Sequence, residues 1–246
     1  MLTDIRASDY LIWGVAGLLY IWDSARLLSA RQLLLVEASR GRLSAIFADS
    51  PYTISGRILA FCPLFRPYRG AFVAPWGQRW DEPNVLDVTL GAIAKLRSAL
   101  LPVRVLATWS FVVLFIVGPV LTLKIGPNAA VVYTAICVYW TVLMALLLVW
   151  WQRAELGLTP SQATWLSLDL VICPAFLPNL VRKVTAKLPI GIDGAQLLFA
   201  TASSDVKELF VTRLASRTEG LPDEAMANEC GAVDLEAYVA NVRAAR

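Results

Sequence analysis

Three residues have side chains that could hold an ion or a small ligand where the chain is most apolar: Asp169, Cys173 and Arg153. Asp169 is the only acidic residue within any apolar run of the sequence. A carboxylate at membrane depth costs several kcal/mol, which makes it a ligand candidate by default. The alternative is structural, with Asp169 capping a helix start or pairing with Arg153. Cys173 precedes Pro174, but a soft metal needs further soft ligands, and no second cysteine, histidine or methionine cluster lies nearby. Ser167, Asp169, Arg182 and Lys183 could together face a lipid-linked substrate, although their spacing matches no known mechanism. No catalytic residue, metal or cofactor is therefore assigned.

Composition narrows the chemistry further. The 246 residues include no histidine. That removes His-ligated haem, most catalytic zinc sites and serine triads in their usual form. The four cysteines, Cys62, Cys137, Cys173 and Cys230, contain no CxxC pair, so zinc-ribbon and thioredoxin readings fail. Cys137 and Cys173 stand in apolar runs as small hydrophobes. The net charge of +3 is too small to indicate a nucleic-acid partner.

The candidate residues are positioned by segments that look built for lipid. The chain is 57% hydrophobic and 17% charged, with a mean hydropathy of +0.60, whereas soluble domains are about 45–50% apolar and about 25% charged. Residues 105–123 and 129–151 contain no charged side chain. Each run can cross a hydrocarbon core of about 30 Å as a helix. The short break between them, Lys124 to Asn128, forces a helical hairpin. Gly118-Pro119 predicts a kink in the first arm. Trp109, Trp150 and Trp151 mark one membrane face.

The segment 165–181 is different, because Pro174 and Pro178 interrupt it. Proline removes a backbone donor, and broken backbone at membrane depth survives only against protein or a wet cavity. It is either a re-entrant segment or a kinked fourth span. Basic residues favour re-entry. Eleven of the 22 lie in 26–104 and eight beyond residue 180, while the hairpin tip carries only Lys124. The positive-inside rule then places 26–104 and the C-terminal part in the cytoplasm, which a full crossing would prevent.

The N-terminal segment 1–30 lacks a signal-peptide charge pattern and is expected to be retained as a membrane helix. Its uncharged stretch, residues 10–22, could be extended by Leu27 and Leu28. Residues 31–80 alternate and turn like a small antiparallel β-meander, with strands at 32–36, 43–48, 53–61 and 70–74 and turns at 39–42 and 49–51. Arg57, Arg66, Arg69, Trp76, Arg79 and Trp80 there form an expected lipid-headgroup belt. Residues 81–102 read as an amphipathic interfacial helix capped by Asn84. The part from 190 to 246 reads as a cytoplasmic helical tail. It carries a capping-box pattern at Asp205 and Glu208, an apolar stripe at Val206, Leu209, Phe210 and Leu214, a stop at Gly220 and a last helix from Asp234.

The expected fold is thus a mainly α membrane protein: an N-terminal span, a transmembrane hairpin over 103–151 and a broken segment over 165–181, with a small cytoplasmic sheet. The expected location is the inner (plasma) membrane, multi-pass. The expected role is a non-catalytic accessory or scaffold subunit with the bilayer and a cytoplasmic-face protein as partners. A transporter or channel component using Asp169, and an enzyme acting on a lipid-linked substrate, stand as alternatives.

Overall fold

The computed structural model describes residues 10–29, 31–38, 42–46, 53–54, 57–78, 80, 82–188, 190–219, 238, 240, 242 and 244. Arg79, the turns at 39–41 and 49–51, Gly220 and residues 234–235 lie outside them. The chain divides into two compact units. One comprises Met1–Arg26, Phe61–Gly70 and Lys95–Leu188, and the other Leu27–Ala60, Ala71–Ala94 and Pro189–Arg246.

The first unit is helical. It holds two apolar helices of 25 residues each, long enough to cross a membrane, Leu101–Ile125 and Pro127–Trp151. The first is composite: α3 (Leu101–Val112), one π-helical turn (Val113–Val117) and α4 (Gly118–Ile125). The π turn falls where Gly118-Pro119 predicts a kink. Pro119 has no N–H to donate, and its ring crowds the carbonyl one turn back, so the helix widens there. Gly126 alone makes the hairpin tip. Its φ of +87° is open to glycine, and Pro127 then starts α5 (Pro127–Trp151) at the first helical position, where proline is at home.

Helix α1 (Leu11–Asp23) runs antiparallel to α3 and α4. Trp13 donates its indole N–H to Thr122 Oγ1 over 2.9 Å near one end. Toward the other end Tyr20 packs against Phe111 and Phe115, with ring centroids 5.6 and 5.2 Å away. Thirteen residues span roughly 20 Å. The helix stops at Asp23, and residues 25–28 form strand β1 (Ala25–Leu28), so Leu27 and Leu28 do not lengthen it as the sequence suggested.

The broken segment goes out and comes back. Helix α6 (Pro160–Ile172) begins with a capping box between Thr159 and Gln162. It breaks at Cys173, becomes a 3₁₀ stretch (Pro174–Asn179), and returns as α7 (Leu180–Thr185). Lys183 reaches Asp169 (Nζ–Oδ2 3.3 Å) and Lys187 reaches the Gln162 carbonyl (3.5 Å), so the two limbs lie side by side. At the tip, Pro174 and Ala175 line an apolar cavity of about 200 Å³ with Trp13, Leu114, Thr134 and Val138. The chain therefore doubles back at the break.

The second unit holds a three-stranded antiparallel sheet, ordered β3-β2-β6, of β2 (Gln32–Glu37), β3 (Leu43–Ile46) and β6 (Ala71–Pro75). Leu33, Leu34, Leu35 and Val36 are consecutive and all buried. A central strand covered on both faces reads as such an unbroken run. Leu35 pairs with Phe72 and Leu33 with Ala74. A Cβ on Gly194 would stand 3.1 Å from Leu33 Cδ1 and 3.0 Å from Ala74 Cβ, which brings helix α8 (Gly194–Thr201) onto that face. The sheet differs from a meander because β6 joins β2 directly. The expected strand over 53–61 is instead a hairpin, β4 (Thr53–Ile54) with β5 (Arg57–Phe61), in a second sheet ordered β1-β5-β4. Helix α2 (Pro83–Ala99) starts one residue before Asn84, because the Glu82 carbonyl accepts the first helical bonds and Pro83 suits the position after it. Likewise α9 (Ser204–Glu219) places Asp205 inside its first turn, not at a cap. Phe210 and Leu214 of its stripe are buried, whereas Leu209 is exposed.

Asp193 is wholly buried at the N-cap of α8. Its carboxylate accepts from the N–H groups of Ala195 (2.9 Å), Gln196 (3.3 Å) and Gln78 (2.9 Å), and from the Tyr238 hydroxyl (2.9 Å). Burial pushes its carboxyl above the usual range, against the pull of those donors. A raised value means that the folded unit holds the proton more tightly than the unfolded chain. The resulting stability is full at acid pH, below the ordinary carboxylate value, and is lost as pH rises through the raised one. Asp193→Asn should remove this slope, so the stability of the wild type relative to the variant falls as pH rises above the ordinary carboxylate value of about 4, in unfolding followed by circular dichroism.

Gly118 gives a second test. A Cβ there would lie 2.5 Å from Trp13 Cη2 and 2.6 Å from Cζ3, and the rigid ring is tethered to Thr122. Gly118→Ala should cost about 1–3 kcal/mol through overpacking, read as a lower Tm in mild detergent, with partial recovery when Trp13→Phe is added.

Candidate functional site

Around the broken segment the first unit buries an arginine. Arg182 is 1% exposed, and among the described residues no carboxylate lies in ion-pair range of it. The turn that leaves Pro178 aims it inward. Asn179 ends the 3₁₀ stretch and Arg182 follows three residues on, so both side chains share one face. Arg182 Nη1 donates to Asn179 Oδ1 (2.6 Å) and to Ser24 Oγ (3.2 Å). Its Nη2 donates to the carbonyls of Pro63 and of Arg66, the latter over 3.1 Å. Asn179 turns its Nδ2 to the Tyr20 carbonyl (3.1 Å), which the Ser24 hydroxyl also meets (2.8 Å). The Tyr20 hydroxyl donates to the Leu64 carbonyl, and the Cys62 N–H to the Ser24 carbonyl (3.1 Å). One guanidinium therefore ties together the end of α1, the loop 61–70 and the return limb of the broken segment.

Next to Arg182 in sequence, Lys183 sits between two carboxylates. Its Nζ is 2.9 Å from Asp23 Oδ1 and 3.3 Å from Asp169 Oδ2, and it lies 4.4 Å from the Phe176 ring centroid. Lys183 and Asp23 are largely buried, while the Asp169 side chain is 52% exposed. An isolated ion pair that open to solvent contributes about 1 kcal/mol or less.

The expected ligand set is not brought together. Asp169 pairs with Lys183 rather than Arg153, and it stands in the last turn of α6 rather than at its start. Arg153 stacks over the Trp150 ring at 5.8 Å. Cys173 is half-buried at the α6 break. The Ser167 hydroxyl accepts from the Trp150 indole (3.0 Å) and donates to the Ala163 carbonyl. Among the described residues, no group of three His, Cys, Asp or Glu side chains could hold a metal ion.

The expected headgroup belt divides between the units. Arg66 is exposed in the first, and Arg69 lies 5.9 Å from the Tyr68 ring. Arg57 is exposed on β5 in the second. Trp76 is a correction. It is 1% exposed, packs beside Tyr238 and is closed off from any headgroup. Trp80 packs its ring on Phe199 at 6.0 Å, inside the same aromatic group as Phe210. Both aromatic rings are held by the second unit's core, so an interfacial role does not follow from their type.

Ser24 and Asn179 were not singled out by sequence reasoning, and Arg182 only as one of four scattered residues. A usable signal existed: Asn179 is a polar side chain inside an apolar run, directly after a helix-breaking proline.

The chemistry available here is cohesion. Charge-assisted hydrogen bonds are worth about 1.5–3 kcal/mol each; without the charge, the Pro63 and Arg66 carbonyls and Asn179 Oδ1 each keep one other donor, from the Arg66 N–H, the Arg69 N–H and the Ser24 hydroxyl. Arg182→Met should lower the unfolding free energy by about 1–3 kcal/mol. Arg182→Lys should recover little, since an ammonium cannot span four oxygens in a planar fork. Thermal unfolding in detergent reads both. The chain matches no protein-family model, no curated protein and no solved structure.

Proposed function

We propose that this chain is a multi-pass inner-membrane accessory subunit. In this reading α1, the composite α3–α4 helix and α5 span the bilayer, and 160–188 enters and returns. The second unit then holds a protein partner at the cytoplasmic face. The observation that carries the reading is the inverted exposure of the long helices. Val105, Trp109, Ile116, Tyr133, Trp140 and Leu147 point outward, while Ala107, Ser110, Gly118, Thr134, Thr141 and Ala145 point inward. Small inward residues and large apolar outward ones suit helices packed in lipid. Only 33% and 28% of the two most apolar windows is buried, unlike the core helix of a soluble protein. Placement of 26–104 in the cytoplasm follows the basic-residue bias.

The accessory role is favoured over transport by the state of the polar groups. Arg182 already serves four oxygens, and Lys183 already holds Asp169. A cargo site at the break would need one of them released.

The test is purification in mild detergent with Asp169 intact and as Asp169→Asn. A stoichiometric protein partner should be retained in both, with accumulation unchanged within error. A partner-free monomer from native membranes, or loss of the partner with Asp169→Asn while the fold persists, would overturn the accessory reading. Protease added to sealed cells should leave residues 31–80 intact.

A further inference from the structure

We infer that the first unit carries a site for one anionic phospholipid, in a groove along the start of α3. This rests on the membrane placement above and adds a ligand class and an address. The groove holds about 540 Å³ and is lined by Tyr68, Leu101, Arg104, Val105, Trp109 and Val112. That volume falls in the range of small-molecule sites, about 300–1,000 Å³.

The lining is graded along the helix. At 1.5 Å rise per residue, Trp109 lies about 7.5 Å beyond Arg104 and Val112 about 12 Å beyond it. The headgroup layer on one side of a bilayer is about 5–8 Å thick. Arg104 therefore matches the depth of phosphate, Trp109 the boundary and Val112 the acyl chains. Arg69, 5.9 Å from the ring of the lining residue Tyr68, adds a second guanidinium beside the groove. Arginine forks suit phosphate oxygens.

Charge complementarity selects an anionic lipid over a zwitterionic one. Across 61–70 and 101–112, which hold every residue lining the groove, there are three basic side chains, Arg66, Arg69 and Arg104, and no acidic one. Nothing in those segments repels a net negative headgroup. The apolar wall selects a lipid over a free phosphate, since Leu101, Val105 and Trp109 are each more than half exposed and offer an acyl chain a surface that a bare phosphate cannot use.

The experiment is native mass spectrometry of the detergent-solubilised full chain, after incubation with phosphatidylglycerol or phosphatidylcholine. The wild type should keep one phosphatidylglycerol at least tenfold better than phosphatidylcholine. Arg69→Gln with Arg104→Gln should abolish the preference, whereas Lys124→Gln at the hairpin tip should keep it. Val105→Trp, which fills the groove and leaves every charge in place, should also lose the lipid and covers the case in which the double variant fails to fold. Equal retention of the two lipids by the wild type, or an unchanged preference in folded Arg69→Gln/Arg104→Gln, would overturn the site. Displacement of the lipid by millimolar glycerol 3-phosphate would replace it with a plain phosphate pocket. Solubility without any detergent would instead defeat the membrane placement, which keeps the two failures apart.

Discussion

A guanidinium does not give up its proton inside a protein, so burying one commits the surrounding backbone to supply oxygen. Arg182 meets that demand without a carboxylate. Asn179 and Ser24 contribute side-chain oxygens, and Pro63 and Arg66 contribute carbonyls that no helix or strand uses. The loop 61–70 gains its place through those two carbonyls, and Asn179 anchors the end of α1 through Tyr20. Removing the charge would take four hydrogen bonds from this junction at once, although Pro63, Arg66 and Asn179 each keep one other donor. That cost falls on three separate stretches of chain, which is why the break at Pro174 and Pro178 can persist without unravelling.

The same constraint accounts for the path of 160–188. Two prolines deny the segment a continuous ladder, yet most of the 3₁₀ stretch between its limbs is buried in protein. The 3₁₀ stretch packs against α1 and α3, and the limbs are stitched at Asp169–Lys183 and Gln162–Lys187. The π turn at Val113–Val117 is a second local defect near the same cavity, again enforced by proline. Despite these irregular parts the long helices present large apolar side chains outward. The first unit thus concentrates its polarity inside, the reverse of a soluble bundle, and this inversion supports the proposed membrane placement.

The second unit follows ordinary soluble rules. Its central strand is apolar on both faces, its sheet is covered by α8, and its buried carboxylate has donors for both oxygens. Asp193 and Tyr238 join positions 45 residues apart, so Tyr238 belongs to this unit's own core. Trp76 and Trp80 are consumed by that core, which shrinks the surface that aromatic composition had suggested for headgroups.

Features set by near neighbours were legible in the sequence. Two uncharged runs with a Gly-Pro break between them could only be a helical pair, and residues 105–123 and 129–151 became one. Prolines four apart had to interrupt a helix, and β2 announced itself by its unbroken apolar run. Outcomes that depend on which distant groups meet were not legible. Sequence reading offered Arg153 as the partner of Asp169, and only the return of the chain brings Lys183 to it instead. Arg182 looked like one more basic residue behind a span until Ser24, Pro63 and Arg66 closed on it. Strand 53–61 split in two and β1 left the helix because strand pairing is a long-range choice. Hydropathy and propensity add along the chain, so sequence alone determined where the elements lie and how apolar they are. Burial of a charge or a ring depends on what folds over it, and that was decided only by the tertiary structure.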